Sequence, residues 1–218
     1  MRYLVHFFIV FLLLIFFVTP SIGIAADDWQ YWHKYQLKTL DSKHFVARVE
    51  GEQRLRDHFS ESYLANIQAG FLLKAGSHFD IGPFYKFQYS KNLLGRYSDE
   101  SRWSLESNLK TKWSDWGFKD RNLFEYRDLS NRDRCRYRNQ ITISRDLKVK
   151  SFKFSPYISE EIFYDFKDAF NQNRVSSGIT IPINQHFSFT LYYLLRNTRS
   201  GSDWTEDHIL GTTLGIAI

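Results

Sequence analysis

The stretch that decides the fold is Tyr63-Leu64-Ala65-Asn66-Ile67-Gln68-Ala69-Gly70-Phe71-Leu72-Leu73-Lys74. Every second residue from Tyr63 to Leu73 is apolar or aromatic, and most of the residues between them are polar or glycine. Side chains of a β-strand point alternately to opposite faces, so this pattern predicts a strand with one apolar and one polar face. Soluble strands usually have about five or six residues, whereas a tilted strand needs about nine to eleven to cross a bilayer. The length of the pattern therefore predicts a membrane-spanning strand.

The same alternation predicts ten strands between residue 43 and the end of the chain. They fall within residues 43–56, 63–74, 78–90, 102–113, 117–127, 134–143, 152–162, 175–183, 187–195 and 210–218. Residues 29–38 alternate in the same way and are a candidate extra strand, a segment within the lumen or a periplasmic extension. Antiparallel pairing in chain order predicts an all-β, up-and-down transmembrane β-barrel of about 10 strands (10–12), closed because lipid tolerates no open sheet edge.

The connections between these strands alternate in predicted length. Short turns are expected near residues 75–77, 114–116, 145–148 and 184–186, and longer polar loops at 91–101, 165–171 and 198–205. Short turns at one rim and longer loops at the other are typical of outer-membrane barrels, in which the short turns are periplasmic.

The amino terminus has the layout of a secretory signal peptide. Met1-Arg2 gives a positive start, residues 4–18 are almost wholly apolar, and small residues precede a predicted cleavage site after Ala25 or Ala26. An uncleaved membrane anchor is the alternative reading. The expected organisation is a signal peptide at residues 1–25, an N-terminal segment at 26–42 and a barrel at 43–218, in the outer membrane of a Gram-negative bacterium.

The composition agrees with an exported barrel. Aromatic residues make up 18% of the chain, with twenty Phe and thirteen Tyr, although the mean hydropathy is below zero. An apolar outer belt and a charged lumen together give that balance. One cysteine excludes an internal disulfide. The net charge of +5 does not imply nucleic acid in an exported protein. The expected partners are outer-membrane lipid, the barrel-insertion machinery and a small solute or ion, and no cofactor is expected.

Glycine and tryptophan indicate which face meets lipid. Most strand glycines fall on the polar face, which indicates that this face is a crowded interior with little room for side chains. Trp103 and Trp113 lie ten residues apart on one apolar face, which at a tilt near 40° spans about 25 Å, the height between the two aromatic girdles of a barrel. A soluble, lipocalin-like periplasmic barrel with its apolar face inward is the alternative. The predicted lipid-facing girdle is Trp103, Trp113, Tyr85, Tyr89 and Tyr193.

The polar face then becomes a charged lumen. Because unpaired charge is costly in a confined space, its acids are expected to pair with its bases. Bases outnumber acids, so the lumen is either a salt-bridged scaffold or a narrow, anion-leaning pore. The predicted network is Arg48, Glu50, Glu52, Arg54, Glu106, Lys110, Arg121, Glu125, Arg127, Arg134, Arg136, Arg138 and Arg174.

Catalytic and metal-binding motifs are weak in this sequence. The histidines show no metal-ligand spacing with cysteine or carboxylates, so no metal site is expected. One neighbourhood could assemble a lipid-modifying hydrolase: His208 on the apolar side, beside a loop with Ser200, Ser202, Asp203, Glu206 and Asp207. The expectation is that the protein is not an enzyme, with a hydrolase site near His208 at the barrel rim as the alternative.

Several short motifs occur in an order that resembles a known bacterial family. They are the segments 29–32 (WQYW), 50–54, 125–127 (EYR), 136–139 (RYRN), 156–160 (PYISE) and 173–178, followed by a final alternating strand. This order resembles the domain of unknown function 2490 family over nearly the whole mature chain. The resemblance implies an outer-membrane β-barrel and carries over no functional residues. The chain ends in Ile218, where barrel proteins usually end in Phe or Tyr.

Overall fold

The computed structural model describes residues 28–129 and 132–218 and consists of β-strands joined by short turns. The signal peptide expected at residues 1–25 lies outside the described residues. The strands are β1 (Asp28–Asp41), β2 (Phe45–Arg56), β3 (Glu61–Ala75), β4 (Phe79–Lys91), β5 (Tyr97–Trp113), β6 (Trp116–Leu129), β7 (Arg132–Arg145), β8 (Leu147–Val149), β9 (Phe152–Asp165), β10 (Ala169–Pro182), β11 (Phe187–Ser200) and β12 (Asp203–Ala217). The part of the chain described here contains no helix long and apolar enough to span a membrane.

Eleven of these strands close into a barrel. Consecutive strands pair antiparallel from β1 to β7, β7 pairs with β9, and β9 continues to β12. The barrel closes where β1 pairs with β12, and this contact is parallel because the number of strands is odd. The extra strand β8 forms a small hairpin with the start of β9. The predicted all-β meander is confirmed, and residues 29–38 take the first of their three alternatives as part of a full barrel strand.

The turns at the two rims of the barrel differ less in length than the sequence indicated. The rim at which β12 ends, here called the C-terminal rim, carries the turns 42–44, 76–78, 114–115 and 183–186 together with the β8 hairpin. The opposite rim, here called the far rim, carries the turns 57–60, 92–96, 166–168 and 201–202. The prediction of longer loops at 91–101, 165–171 and 198–205 is wrong, because the strands continue through most of these polar residues. A ladder hydrogen-bonds the backbone whether its side chains are polar or apolar, so polarity alone did not mark the strand ends.

The barrel wall is apolar outside and mainly polar inside. Many large apolar side chains are exposed on the outer face, such as Ile67 (57%), Leu191 (55%) and Phe124 (54%). The fully buried side chains lie inside and include Glu106 and Asn108. Two apolar clusters also face inward, one of Trp32, Leu194 and Ile209 and one of Val46, Leu72 and Phe84. This polarity is the reverse of a soluble barrel with an apolar interior.

Two inward glycines show how the wall accommodates its large rings. A Cβ atom at Gly211 would lie 2.0 Å from Cζ of Tyr192, and one at Gly70 would lie 2.4 Å from Cδ1 of Phe84. Each ring therefore lies close to the backbone of the neighbouring strand, in space that the Cβ atom of any other residue would fill. At these two positions, glycine on the polar face is explained by the close approach of an aromatic side chain.

Candidate functional site in the barrel lumen

The thirteen charged residues predicted for the lumen come from β2, β5, β6, β7 and β10. Strand alternation turns them to the inner face, and each of them takes part in at least one ion pair. Lys110 and Arg134 lie toward the rims. Lys110 pairs with Asp80, and its side chain is 45% exposed. Arg134 pairs with Asp165 and Asp168, at the end of β9 and in the turn that follows.

Glu125 is one of two acids in this network that each bind three arginines. Arg136 donates to Oε2 of Glu125 from Nε at 2.7 Å and from Nη2 at 2.6 Å. Nη1 of Arg138 and Nη1 of Arg102 donate to Oε1 at 3.0 and 3.2 Å. The Glu125 side chain is 1% exposed. Three guanidinium groups from β5 and β7 therefore converge on one buried carboxylate of β6.

A second acidic centre, Glu161, joins strands that are not neighbours. Its Oε1 accepts from Nη2 of Arg138 at 2.5 Å and from Nη2 of Arg121 at 2.8 Å, and its Oε2 accepts from Nη1 of Arg174 at 3.4 Å. The partners lie on β7, β6 and β10, while Glu161 lies on β9. Arg138 bridges Glu161 and Glu125, so the two centres form one continuous network.

Glu106 is the centre of the part of the network nearer the C-terminal rim. Nη2 of Arg48 donates to Glu106 at 2.8 Å, although β2 and β5 are separated by two strands. Asn108 lies between two acids and donates to Glu106 at 3.0 Å and to Asp80 at 2.6 Å. The Arg48 guanidinium also lies 4.4 Å from the ring centroid of Phe84, which gives the cation a further favourable contact.

On the wall across the lumen from Glu125, the ring of Trp32 lies among three arginines. The guanidinium carbons of Arg54, Arg174 and Arg196 lie 3.6, 5.1 and 5.4 Å from its ring centroid. Each arginine also has an acid: Glu52 for Arg54, Glu161 for Arg174 and Asp207 for Arg196. The sequence indicated an aromatic strand at residues 29–38 but did not place Trp32 inside. The signal available was the strict alternation of Gln30, Trp32 and Lys34, the face opposite to Tyr31 and Tyr35.

The network surrounds a cavity of about 390 Å³. Ten basic side chains but only four acidic ones line it, because Glu100 and Glu125 lie behind the arginines that they bind. Lys86 lines the cavity and, within residues 28–129 and 132–218, has no ion pair closer than 4.0 Å. Lys119, on the same inner face of β6, likewise lacks a close acid among the described residues. The cavity surface therefore carries a net positive charge.

Several members of this network were not among the predicted residues. Glu100 accepts from Nε of Arg127 at 2.6 Å and from Nη2 of Arg102 at 2.7 Å. It lies in the segment that was predicted to be a loop, so it was not assigned to the inner face. Glu161 follows Glu160 directly, and the sequence alone did not decide which of the two points inward.

The predicted girdle residues face outward. Trp103 and Trp113 are 59% and 73% exposed, and Tyr85 and Tyr89 are also exposed. Tyr193 also lies on the outer wall, half-buried, and its hydroxyl lies 2.6 Å from Nδ1 of His208.

His208 belongs to an aromatic cluster on the outer wall. Its ring stacks on Trp29 with centroids 5.2 Å apart, and Nε2 lies 3.6 Å from Glu206. Asp207, grouped with His208 in the sequence, points to the other side of the wall and binds Arg196 in the lumen at 2.9 Å. The acids of this neighbourhood are thus divided between the two faces of β12. No group of three or more potential metal ligands occurs among the residues that the structure describes.

The fold and its lining define a class: closed β-barrels with an apolar outer wall and a charged lumen. Among solved structures, the barrel is similar to the β domain of the Bordetella autotransporter BrkA, with a TM-score of 0.51 and 10% identity. The match covers 78% of this chain and 82% of that one. No curated protein matches the sequence. The model of the protein family of unknown function DUF2490 matches residues 29–207, and the chain belongs to that family. The resemblance drawn from the short motifs is thereby confirmed.

Proposed function

We propose that the protein is an integral outer-membrane β-barrel whose salt-bridged lumen forms a narrow pathway for small anions. The observation that carries this proposal is the cavity lining of ten basic and four acidic side chains. Rings of charged side chains set the selectivity of pores, and a net positive lining favours anions. Eight-stranded barrels are just filled by side chains, and eleven strands enclose only slightly more space. The solute is therefore a small ion.

The outer wall supports the membrane location. Exposed side chains such as Ile67 and Leu191 would be costly in water, at about 25 cal/mol per Å² of apolar surface, and lipid removes that cost. A lipocalin-like barrel would bury such side chains inside and expose charge outside, which is the opposite arrangement. The fold of the Bordetella autotransporter domain is consistent with this location.

Current measurements across a planar bilayer test the pathway directly. Under a salt gradient at low ionic strength, where charges are screened least, the reversal potential should indicate preference for anions. A Lys86→Gln, Lys119→Gln variant should reduce this preference with little loss of stability, because neither lysine has a close acid to leave unpaired.

A matched control is Lys148→Gln in the exposed β8 hairpin, which should leave the reversal potential unchanged. Preference for cations would contradict the proposed pathway. If the inserted barrel shows no conductance at all, the lumen is a closed scaffold and the network is purely structural.

A further inference from the structure

A polar patch interrupts the apolar outer wall on β6, β7, β9 and β10. Its members are Asp120, Asn122, Asn139, Glu160 and Asn173, here called the outer-wall patch. Their side chains point outward, because the strand register places them on the same face as exposed apolar residues. Asp120 and Glu160 lie directly opposite Ile141 on the two strands that flank β7, and Glu160 also lies opposite Val175 of β10.

The patch lies about halfway up the barrel. One row of paired residues climbs around the wall from the C-terminal rim to near the far rim: Phe45, Leu73, Ile81, Ser107, Asn122, Asn139, Ile162, Asn173, Asn197 and Glu206. Asn122 and Asn139 stand in the middle of this row. Polar and charged side chains are most costly at this depth when they face lipid. The patch therefore calls for a cover other than lipid.

Glu160 lies at nearly the same height as Asn122. With strands tilted by about 40°, the row climbs roughly 3 Å per strand, and a strand climbs roughly 2.5 Å per residue. From Asn122 the row climbs two strands to Ile162, and Glu160 is two residues back toward the C-terminal rim. The two steps nearly cancel, which leaves Asn122 and Glu160 at equal height on either side of β7.

The hydrogen bonds within the patch are incomplete. Asn139 Nδ2 donates to Asp120 at 2.5 Å and to Oδ1 of Asn122 at 3.1 Å, and Asn173 donates to Oε1 of Glu160 at 2.8 Å. The Nδ2 group of Asn122 and Oε2 of Glu160 have no hydrogen-bond partner among the described residues. Oδ1 of Asn173 is buried and also lacks a partner within them. The patch thus presents an unused donor and unused acceptors.

We propose that a second copy of this chain covers the outer-wall patch, forming a dimer whose two-fold axis stands along the membrane normal beside β7. Such an axis brings together residues of equal height from opposite sides of β7. The Asn122 amide of each copy then meets the Glu160 carboxylate of the other, so the spare donor and acceptor satisfy each other twice. This inference rests on the proposed membrane location.

An aromatic groove beside the patch supplies packing for the same contact. It has a volume of about 520 Å³ and is lined by Ser107, Asn122, Phe124, Tyr137, Tyr164 and Phe166. In a membrane, close packing and interhelical or interstrand hydrogen bonds drive association, since lipid is as apolar as the side chains. The groove gives apolar side chains of the second copy a place to pack beside the polar contact.

The single cysteine provides a native probe, because Cys135 is exposed and lies on the outer face of β7. In bilayer-inserted full-length protein, a short bismaleimide should join two copies through Cys135. In the matched control, Cys135→Ser with Gln53→Cys on the outer face of β2 across the barrel, no crosslink should form.

Glu160→Leu or Asn122→Leu should lower the association constant in the bilayer by about tenfold, because each change removes both symmetric contacts. Gln53→Leu, another polar-to-apolar change on the outer wall, should leave it unchanged. An inserted barrel that stays monomeric, a dimer insensitive to Glu160→Leu, or a Cys135 crosslink to a different polypeptide would overturn the proposal. Insertion is scored separately by the shift in gel mobility on heating, so that loss of insertion counts against the membrane location and not against the dimer.

Discussion

Replacing Glu125 by Gln tests whether the lumen charges hold the barrel together. The substitution keeps the shape of the side chain but removes the negative charge on which three arginines converge. Arg102 keeps Glu100 at 2.7 Å, and Arg138 keeps Glu161 at 2.5 Å. Arg136 has no other acid within 4.0 Å among the described residues. The cost of the change therefore concentrates on one buried guanidinium.

The expected magnitude follows from that single unpaired charge. Breaking a buried ion pair by removing one partner costs about 3–5 kcal/mol, because the other charge remains without compensation. Arg136 also lies 5.2 Å from the ring centroid of Phe163 and lines the cavity, where water reaches it. These contacts reduce the penalty, so we expect a loss of about 3 kcal/mol in the free energy of unfolding.

Urea titration in lipid vesicles, scored by the gel mobility of the unheated barrel, measures this loss. Glu61→Gln is the control: Glu61 binds Arg56 and Lys91 at the far rim with its side chain one-third exposed, and ion pairs at the surface contribute little to stability. Adding Arg136→Gln to Glu125→Gln should recover part of the lost stability. A loss below about 1 kcal/mol for Glu125→Gln, or a double variant less stable than either single one, would refute the reasoning.

Two further substitutions test the faces and packing of the wall, each with an adjacent or matched control. Ile67→Arg should cost about 2–4 kcal/mol of unfolding free energy, since the side chain meets lipid, whereas Gln68→Arg points into the cavity and should cost much less; equal costs would show that the assigned faces are wrong. Gly211→Ala should cost about 1–3 kcal/mol because its Cβ would meet the Tyr192 ring, whereas Gly51→Ala, with no atom within 4 Å, should be nearly neutral. Similar urea midpoints for the two glycine variants would contradict the packing argument.

The sequence predicted most of the fold because long strands of alternating polarity leave a strict pattern in the chain. In the proposed membrane location, lipid forbids unpaired backbone, so every strand must be long, alternating and paired. The ten strands from residue 43 onward and the order of their pairing could be predicted for this reason. The closure by β1 could not, since its parallel contact with β12 joins the two ends of the chain. No local pattern distinguishes such a strand from a segment lying in the lumen.

The sequence predicted which charged side chains face the lumen, but it did not predict which of them form ion pairs with each other. Alternation alone separates inner from outer residues, which is how Glu125 and Arg136 were grouped in one network. Contacts that cross the lumen, such as Arg48 with Glu106, depend on barrel radius and side-chain reach, which a sequence does not carry. The polar outer residues Asp120 and Glu160 were also missed, because each breaks the alternation that served as the signal.

The ion pairs also explain how like charges can lie directly opposite each other. In the strand register, Arg102 of β5 lies directly opposite Arg127 of β6, and Arg127 lies directly opposite Arg134 of β7. Such pairs destabilise a sheet when nothing lies between them. Here Glu100, two residues from Arg102 on the same strand, binds both Arg102 and Arg127. This acid therefore binds one arginine on its own strand and one on the neighbouring strand, rather than the residue directly opposite. We expect that removing such a lumen acid destabilises the barrel as a whole, whereas changing an unpaired lysine that faces the cavity does not.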